Sequence, residues 1–99
     1  MKFIINDKVY DIEKMTLLGK VRKWYEFTGW LDKALFGEGM GRKYDCNLYR
    51  TQKGNYLLTH EPDSIRTVAE AITEEEAKRL LVNSDYDAYC KLFGALEEA

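Results

Sequence analysis

The sequence predicts an α+β fold, in which a small antiparallel sheet carries two C-terminal helices packed on one of its faces. Residues 47–60 are typical of a β-hairpin, because two β-prone runs flank a short polar turn that contains Gly54. The stretches that follow Thr73 and Ser84 repeat apolar residues with helical spacing. Strands therefore come first and helices last, which is an order typical of α+β domains.

A second hairpin is expected at the N-terminus. Two short β-prone runs, residues 3–5 and 8–10, flank the polar pair Asn6 and Asp7. Polar residues of this kind are common in tight turns. The pattern predicts two short strands joined by a turn.

The run over residues 17–27 fits either a helix or a strand. Its apolar residues fit one helical face, while alternate residues also share one face of a strand. Gly19 disfavours a helix interior, and the Val, Trp, Tyr and Phe side chains favour a strand. We therefore prefer a strand, partly on the resemblance given below, and a helix is the alternative.

Shorter elements are expected in the centre of the chain. Trp30–Phe36 can form a short helical turn, and the alternating glycines of residues 37–41 then predict a mobile loop. This loop lacks the Gly-Lys-Ser/Thr ending of a phosphate-binding loop, and it does not have the GxGxxG spacing before a clear helix. A turn is expected at residues 61–63, and a strand at Val68–Ile72.

The two C-terminal helices have recognisable ends. Thr73 and Glu76 form a capping-box pattern, in which the Thr73 side chain accepts from the backbone of Glu76 and Glu76 reaches back. Residues 83–85 end the first helix and cap the second, which Gly94 stops. Eight residues are expected to contribute to the core: Leu48, Leu57, Val68, Ile72, Leu80, Leu81, Tyr89 and Phe93.

Length and composition predict one globular domain over residues 1–99. The chain is 45% apolar, which is too much for a disordered segment. No apolar run is long enough for a membrane span, and the apolar stretch at the N-terminus is too short for a signal peptide. We therefore expect a cytoplasmic protein without a membrane partner.

The sequence offers little material for catalysis. Cys46 and Cys90 lack CxxC spacing and are expected to be reduced, with Cys90 facing the core. His60 is the only histidine, and we expect it to be a half-exposed strand residue. No nucleophile–base pair or metal-ligand set is recognisable, so we predict no catalytic residue, no cofactor, no metal and no enzyme activity.

Several short motifs carry a resemblance to a known family: residues 2–11, 17–20, 44–58, 72–78 and 89–94. In that order, the chain resembles small, poorly characterised proteins carried on plasmids, prophages and conjugative elements of Firmicutes. It departs from their pattern at residues 61–66, where a Gly-rich insert is short, and at residues 24–42, which are longer and more aromatic. The resemblance implies a non-enzymatic accessory protein that binds and inhibits a host defence complex, most sharply an anti-CRISPR inhibitor of a CRISPR nuclease.

The charge is unevenly distributed along the chain. Residues 1–60 carry a net charge of +4 and residues 61–99 a net charge of −6. Such a charge asymmetry can steer binding to a charged partner. The alternative is that the glutamates only keep the helices solvated. We expect a protein partner that handles nucleic acid. The alternative is a small nucleic-acid-binding factor that uses a basic, aromatic sheet face, and the oligomeric state is left open.

Two candidate surfaces follow from this charge pattern. If residues 17–27 form a strand, Lys20, Arg22 and Trp24 lie on one face. The predicted partner-binding residues are Lys20, Arg22, Lys23, Trp24, Trp30, Phe36, Arg50 and Lys53. For the hairpin, the alternative is that Tyr49 and Tyr56 are packed and that Arg50 covers them with its aliphatic stem. Three glutamates form a possible acidic surface that imitates nucleic-acid phosphates: Glu70, Glu74 and Glu75.

Overall fold

The computed structural model describes residues 1–27, 29–63 and 65–99, and within them it has six strands and three α-helices. In chain order the elements are β1 (Lys2–Ile5), β2 (Lys8–Asp11), β3 (Thr16–Glu26), α1 (Trp30–Phe36), β4 (Gly41–Arg50), β5 (Tyr56–His60), β6 (Val68–Ile72), α2 (Glu74–Ser84) and α3 (Tyr86–Phe93). One short 3-10 turn, Ile12–Lys14, connects β2 to β3.

The main sheet has four antiparallel strands in the order β3-β4-β5-β6, and β1 and β2 form a separate two-stranded hairpin. The predicted α+β fold class is therefore confirmed, together with the predicted opening hairpin. Asn6 and Asp7 take left-handed φ angles of 53° and 63°. A turn with two such residues matches the twist of the flanking strands, and Asn and Asp tolerate it better than most side chains.

The ambiguous run is a strand, as we preferred. β3 pairs with β4 from Thr16 opposite Arg50 to Glu26 opposite Gly41. This ladder is interrupted between Leu17 and Gly19, where the register shifts by a β-bulge. This run forms a strand because the backbone amides and carbonyls of β3 gain hydrogen-bond partners on β4. An isolated helix would not make these long-range interactions.

The central hairpin has the predicted turn between β4 and β5. The Thr51 amide donates to the Asn55 carbonyl at 2.8 Å, and the Gly54 amide donates to the Thr51 carbonyl at 3.0 Å. Gly54 has a φ of 85°, a conformation that favours glycine because it has no Cβ. The strand on the other side begins earlier than expected, because Gly41 is already the first residue of β4.

Helices α2 and α3 pack on one face of the main sheet. The Glu76 amide donates to Thr73 Oγ1 at 3.2 Å, so the predicted N-cap is confirmed. The reciprocal half of the capping box is wrong, because the Glu76 carboxylate accepts from Lys23 instead. At the other end of α2, Ser84 Oγ accepts from the Arg22 backbone amide at 3.1 Å, so this helix crosses the sheet from β6 to β3.

The core lies between this sheet face and the two helices. Of the eight predicted core residues, Leu48, Leu81 and Tyr89 are buried there. Leu57 is also buried, but it alternates with Leu58 along β5 and so lies on the opposite sheet face, outside this cluster. The other four, Val68, Ile72, Leu80 and Phe93, are only half-buried. Cys90 packs against the core, as expected. Within the described ranges, no helix combines the length and the apolar character needed to cross a membrane.

Candidate functional site

The hairpin formed by β3 and β4 extends well beyond the rest of the sheet. Strands β3 and β4 have 11 and 10 residues, whereas β5 has five and pairs only with the part of β4 from Cys46 to Arg50. Residues 22–45, which we call the arm, therefore extend past the last pairing with β5. The arm carries α1 at its tip, between the two strands.

Helix α1 is short and is held mainly by its own backbone. The Lys33 amide donates to the Gly29 carbonyl at 3.1 Å, and the Gly37 amide donates to the Lys33 carbonyl at 2.9 Å. Gly37 ends the helix with a φ of 91°. The ring of Phe36 contacts that of Phe27, with centroids 5.5 Å apart. The other large apolar side chains of α1 are exposed to solvent.

These exposed side chains form what we call the apolar tip: Trp30, Leu31, Leu35, Phe36 and Met40. Trp30 is 80% exposed and Leu35 is 68% exposed. The structure thus places the predicted residues Trp30 and Phe36 at the two ends of the same exposed helix. Our sequence analysis missed Leu31 and Leu35, although their spacing of four residues is that of neighbours on one helix face.

One face of the β3–β4 hairpin is basic, from just inside the arm's base at Lys20 into the arm itself. Lys20, Arg22 and Trp24 alternate along β3 and lie exposed on the same sheet face, as predicted for a strand. Lys43, which the sequence analysis missed, lies opposite Trp24 on β4 and is also exposed. We call Lys20, Arg22, Trp24 and Lys43 the basic face. Asp45 partly neutralises it, because Asp45 Oδ1 is 3.3 Å from Arg22 Nε.

Gly41 allows the two strands of the arm to close at the tip. A Cβ added to Gly41 would lie 2.7 Å from Trp24 Cζ2 and 2.8 Å from the Cα of Glu26, and it would clash with the Tyr25 carbonyl oxygen. Backbone cannot move away as the end of a flexible side chain can. Gly41 is therefore needed for the close approach at the base of the apolar tip.

Lys23 is directed to the opposite sheet face and does not belong to the basic face. Its Nζ lies 2.9 Å from Glu70 Oε1 and 3.2 Å from Glu76 Oε2. Burial opposes the charge on Lys23, but the hydrogen bonds and the charges of Glu70 and Glu76 outweigh it and raise the pKa. Assigning Lys23 and Glu70 to two separate surfaces was wrong, because the structure pairs them with each other.

His60 lies under two tyrosines at the base of the arm. Its ring stacks on that of Tyr25, with centroids 4.5 Å apart, and is 5.0 Å from that of Tyr44. The Tyr25 hydroxyl donates to Glu70 Oε2 at 2.9 Å. His60 is only 9% exposed, so our expectation of a half-exposed residue was wrong. Burial lowers the pKa of His60, while burial and Glu70 raise the pKa of Tyr25.

The buried thiol beside this stack is poorly suited to nucleophilic chemistry. Cys46 is buried, and its Sγ donates to the Tyr44 carbonyl at 3.5 Å. Burial raises the pKa of Cys46, which disfavours the reactive thiolate. In the part of the chain that the structure describes, no group of three or more His, Cys, Asp or Glu side chains is placed to hold a metal ion.

Arg50 and Lys53 lie at the other end of β4 from the apolar tip. The Arg50 guanidinium is 5.8 Å from the ring centroid of Tyr56, and Tyr56 is buried. Tyr49 is half-buried. This arrangement matches the alternative in which the tyrosines pack and Arg50 covers one of them. Lys53 is exposed in the turn, so neither basic residue is brought to the arm.

The predicted acidic surface is divided. Glu74 and Glu75 are exposed in the first turn of α2, where carboxylates suit the positive end of the helix dipole. Glu74 Oε1 also accepts from the Tyr56 hydroxyl at 3.3 Å. Glu70 is instead held by Lys23 and Tyr25. Of the three predicted glutamates, Glu74 and Glu75 are thus exposed, and Glu70 is half-buried.

Comparison of the chain with protein-family models, with curated proteins and with solved structures finds no match.

Proposed function

We propose that this chain is a non-enzymatic accessory protein of a mobile element, which binds and inhibits a host defence complex through the apolar tip. The exposed tip is the observation that carries the proposal. Monomeric proteins rarely expose clustered large apolar side chains unless the cluster is an interaction site. Trp is also among the residues that contribute most to interface energy, and Trp30 is 80% exposed.

The charges around the tip indicate the chemistry of the partner. Lys33 lies on α1 itself, and Arg42 and Lys43 follow at the start of β4, all three exposed. Among the side chains that the structure describes, Glu26 and Glu38 are exposed carboxylates close in sequence to the tip. A partner surface with an apolar pocket and carboxylates at its rim would bury the tip and pair with the three cations.

The non-enzymatic part of the proposal rests on the two side chains best suited to catalysis. His60 lies beneath tyrosine rings, and Cys46 is buried with a raised pKa. Neither is presented to a substrate. The sharpest form of the proposal, inhibition of a CRISPR nuclease, rests on the resemblance to mobile-element proteins, a setting in which such inhibitors occur.

A plasmid-interference assay tests the proposal with matched variants. The chain is expressed in cells that carry one CRISPR nuclease of a panel and are challenged with a targeted plasmid. We expect wild-type protein to restore plasmid maintenance with at least one nuclease. Trp30→Ser with Leu35→Ser should remove this effect, because losing two interface anchors costs more than about 2 kcal/mol of binding energy.

The control pair is Ile4→Ser with Val9→Ser, since these side chains are 78% and 65% exposed and lie opposite each other on the β1–β2 hairpin. It should act like the wild type. Equal loss in both pairs would assign the effect to general surface hydrophobicity. If the wild-type protein leaves CRISPR interference unchanged with every nuclease of the panel, the inhibitor proposal is wrong.

The basic face supports a second candidate, a nucleic-acid-binding factor. Lys20, Arg22 and Lys43 surround the exposed Trp24, and cations beside an aromatic ring suit phosphate contact and base stacking. A gel shift with short single-stranded DNA and RNA, without any partner protein, distinguishes the two candidates. Tight, salt-sensitive binding that is lost on changing the three cations to Gln would favour this candidate, and absence of a shift would reject it.

A further inference from the structure

We propose that a cleft at the other end of the molecule from the apolar tip binds a nucleotide. The cleft has a volume of about 640 Å³ and lies between the β1–β2 hairpin and the turn that joins β4 to β5. Clefts of several hundred Å³ are the usual size of small-molecule sites. The cleft is separate from the arm, so the proposal does not depend on the proposed function.

Three lysines give the cleft an affinity for an anion. Lys8, Lys14 and Lys53 all line it, although they come from β2, the 3-10 turn and the β4–β5 turn. Among the described residues, none of the three forms an ion pair. The three ammonium groups outnumber the two carboxylates of the lining, Asp7 and Asp11, and a bound phosphate would accept charge-assisted hydrogen bonds from them.

The other polar groups suit the sugar and the base rather than the phosphate. Asp7 and Asp11 line the cleft, and Asp11 Oδ1 is already engaged by the Glu13 amide at 3.1 Å. The Asp7 carboxylate can accept from a ribose hydroxyl or an exocyclic amine. Gln52 and Asn55 add amide groups that can donate or accept. A ligand that combines an anion with several donors fits this set better than a simple anion does.

The cleft also has apolar surface for a ring. Val9 lines it and is 65% exposed, and Met15, which is half-buried, lines it as well. Tyr10 is part of the wall but is only 6% exposed, so it contributes rigidity more than contact area. The walls are fixed by hydrogen bonds: the Asn55 amide donates to Thr51 Oγ1 at 3.0 Å, and the Ile12 amide donates to the Met1 carbonyl at 3.1 Å. These hydrogen bonds hold the backbone of both walls in place before a ligand arrives, which favours binding.

Titration of the full chain with AMP, CMP, GMP and UMP, followed by amide NMR shifts and calorimetry, tests the proposal. We expect saturable binding of at least one of them, with shifts concentrated at Tyr10, Met15 and Asn55. Lys8→Gln, Lys14→Gln and Lys53→Gln together should weaken it at least about tenfold, because charge-assisted hydrogen bonds are lost. Gln52→Glu, which is isosteric and places a charge near the phosphate, should also weaken it.

The matched control removes three charges that belong to neither the cleft, the basic face nor the apolar tip, as Arg66→Gln, Arg79→Gln and Lys91→Gln. The residues of both triples are all exposed, so both triple variants should fold. The control should change the affinity less than about twofold, since none of its residues lines the cleft. Equal weakening by both triples, no saturation with any nucleotide, or equal affinity for inorganic phosphate would each overturn the proposal.

Discussion

The two halves of the β3–β4 hairpin are built from the same strands but differ in what covers them. In the inner half, Val21, Cys46 and Leu48 are buried beneath α2 and α3. In the arm, Trp24 is half exposed and the apolar side chains of α1 are open to solvent. Both halves have β-forming sequences and large apolar residues. Burial here is therefore decided by whether another element packs above the strand.

The boundary between the halves is a polar and aromatic junction. Lys23 and Tyr25 reach from β3 to Glu70 on β6, and the Tyr25 ring lies on His60 in between. These contacts connect the two edge strands of the sheet over its intervening strands. Such a junction fixes the direction in which the arm leaves the sheet, which suits an arm that must present a binding tip.

The strongest test of the comparison replaces one leucine in each half by alanine. Leu81 is fully buried beneath the inner half, so Leu81→Ala should lower the free energy of unfolding by about 2–5 kcal/mol. Leu35→Ala on α1 should change it by less than about 0.5 kcal/mol, because that side chain is already solvated. Chemical denaturation measures both values. Similar losses in the two variants would mean that α1 packs in solution and is not an exposed tip.

A smaller effect is expected at the glycine that closes the arm. Gly41→Ala should lower the free energy of unfolding by about 1–3 kcal/mol, because its Cβ meets backbone. Gly19→Ala is the control. A Cβ there meets its nearest atoms at 3.7 Å, so that variant should be neutral or more stable by up to about 1 kcal/mol. If Gly41→Ala melts like the wild type, the close approach of the two strands is absent.

The smallest effect is a pH dependence at the junction. Burial lowers the pKa of His60 in the folded protein, so protons bind the unfolded chain more readily. This contribution to stability is complete above the unfolded pKa of about 6.5 and is lost as the pH falls through the lower folded pKa. Denaturation at pH 7 and pH 5 should show a decrease. His60→Phe keeps a ring in the stack and should show a smaller decrease in the free energy of unfolding between pH 7 and pH 5. An equal decrease in this variant would show that the pH dependence comes from another group.

The sequence was informative wherever a structural signal is local. Gly54, the polar pair Asn6 and Asp7, and the cap Thr73 act within a few residues of themselves, and each was placed correctly. Side-chain preferences also favoured the strand over residues 17–27, although it is the pairing with β4 that stabilises it. Fold class was thus accessible before any contact was known.

Long-range contacts account for what the sequence did not reveal. Lys23 is separated by 47 residues from Glu70, and its apparent membership of a basic run concealed that pairing. His60 is covered by Tyr25 and Tyr44, which no local pattern connects to it. Trp30 and Phe36 were identified as contact candidates because they add apolar surface that a monomer must hide or use, whereas the helical pair Leu31 and Leu35 was overlooked.

The hydrogen bond from the Arg22 amide to Ser84 has a consequence for self-assembly. β3 is an edge strand of 11 residues, and a long open edge is a template on which strands of other chains can grow into fibrils. The end of α2 occupies one outward donor near the middle of that edge. An incoming strand meets two shorter segments, residues 16–21 and 23–26, instead of one continuous ladder. Helix α2 thus protects the protein against aggregation as well as closing its core.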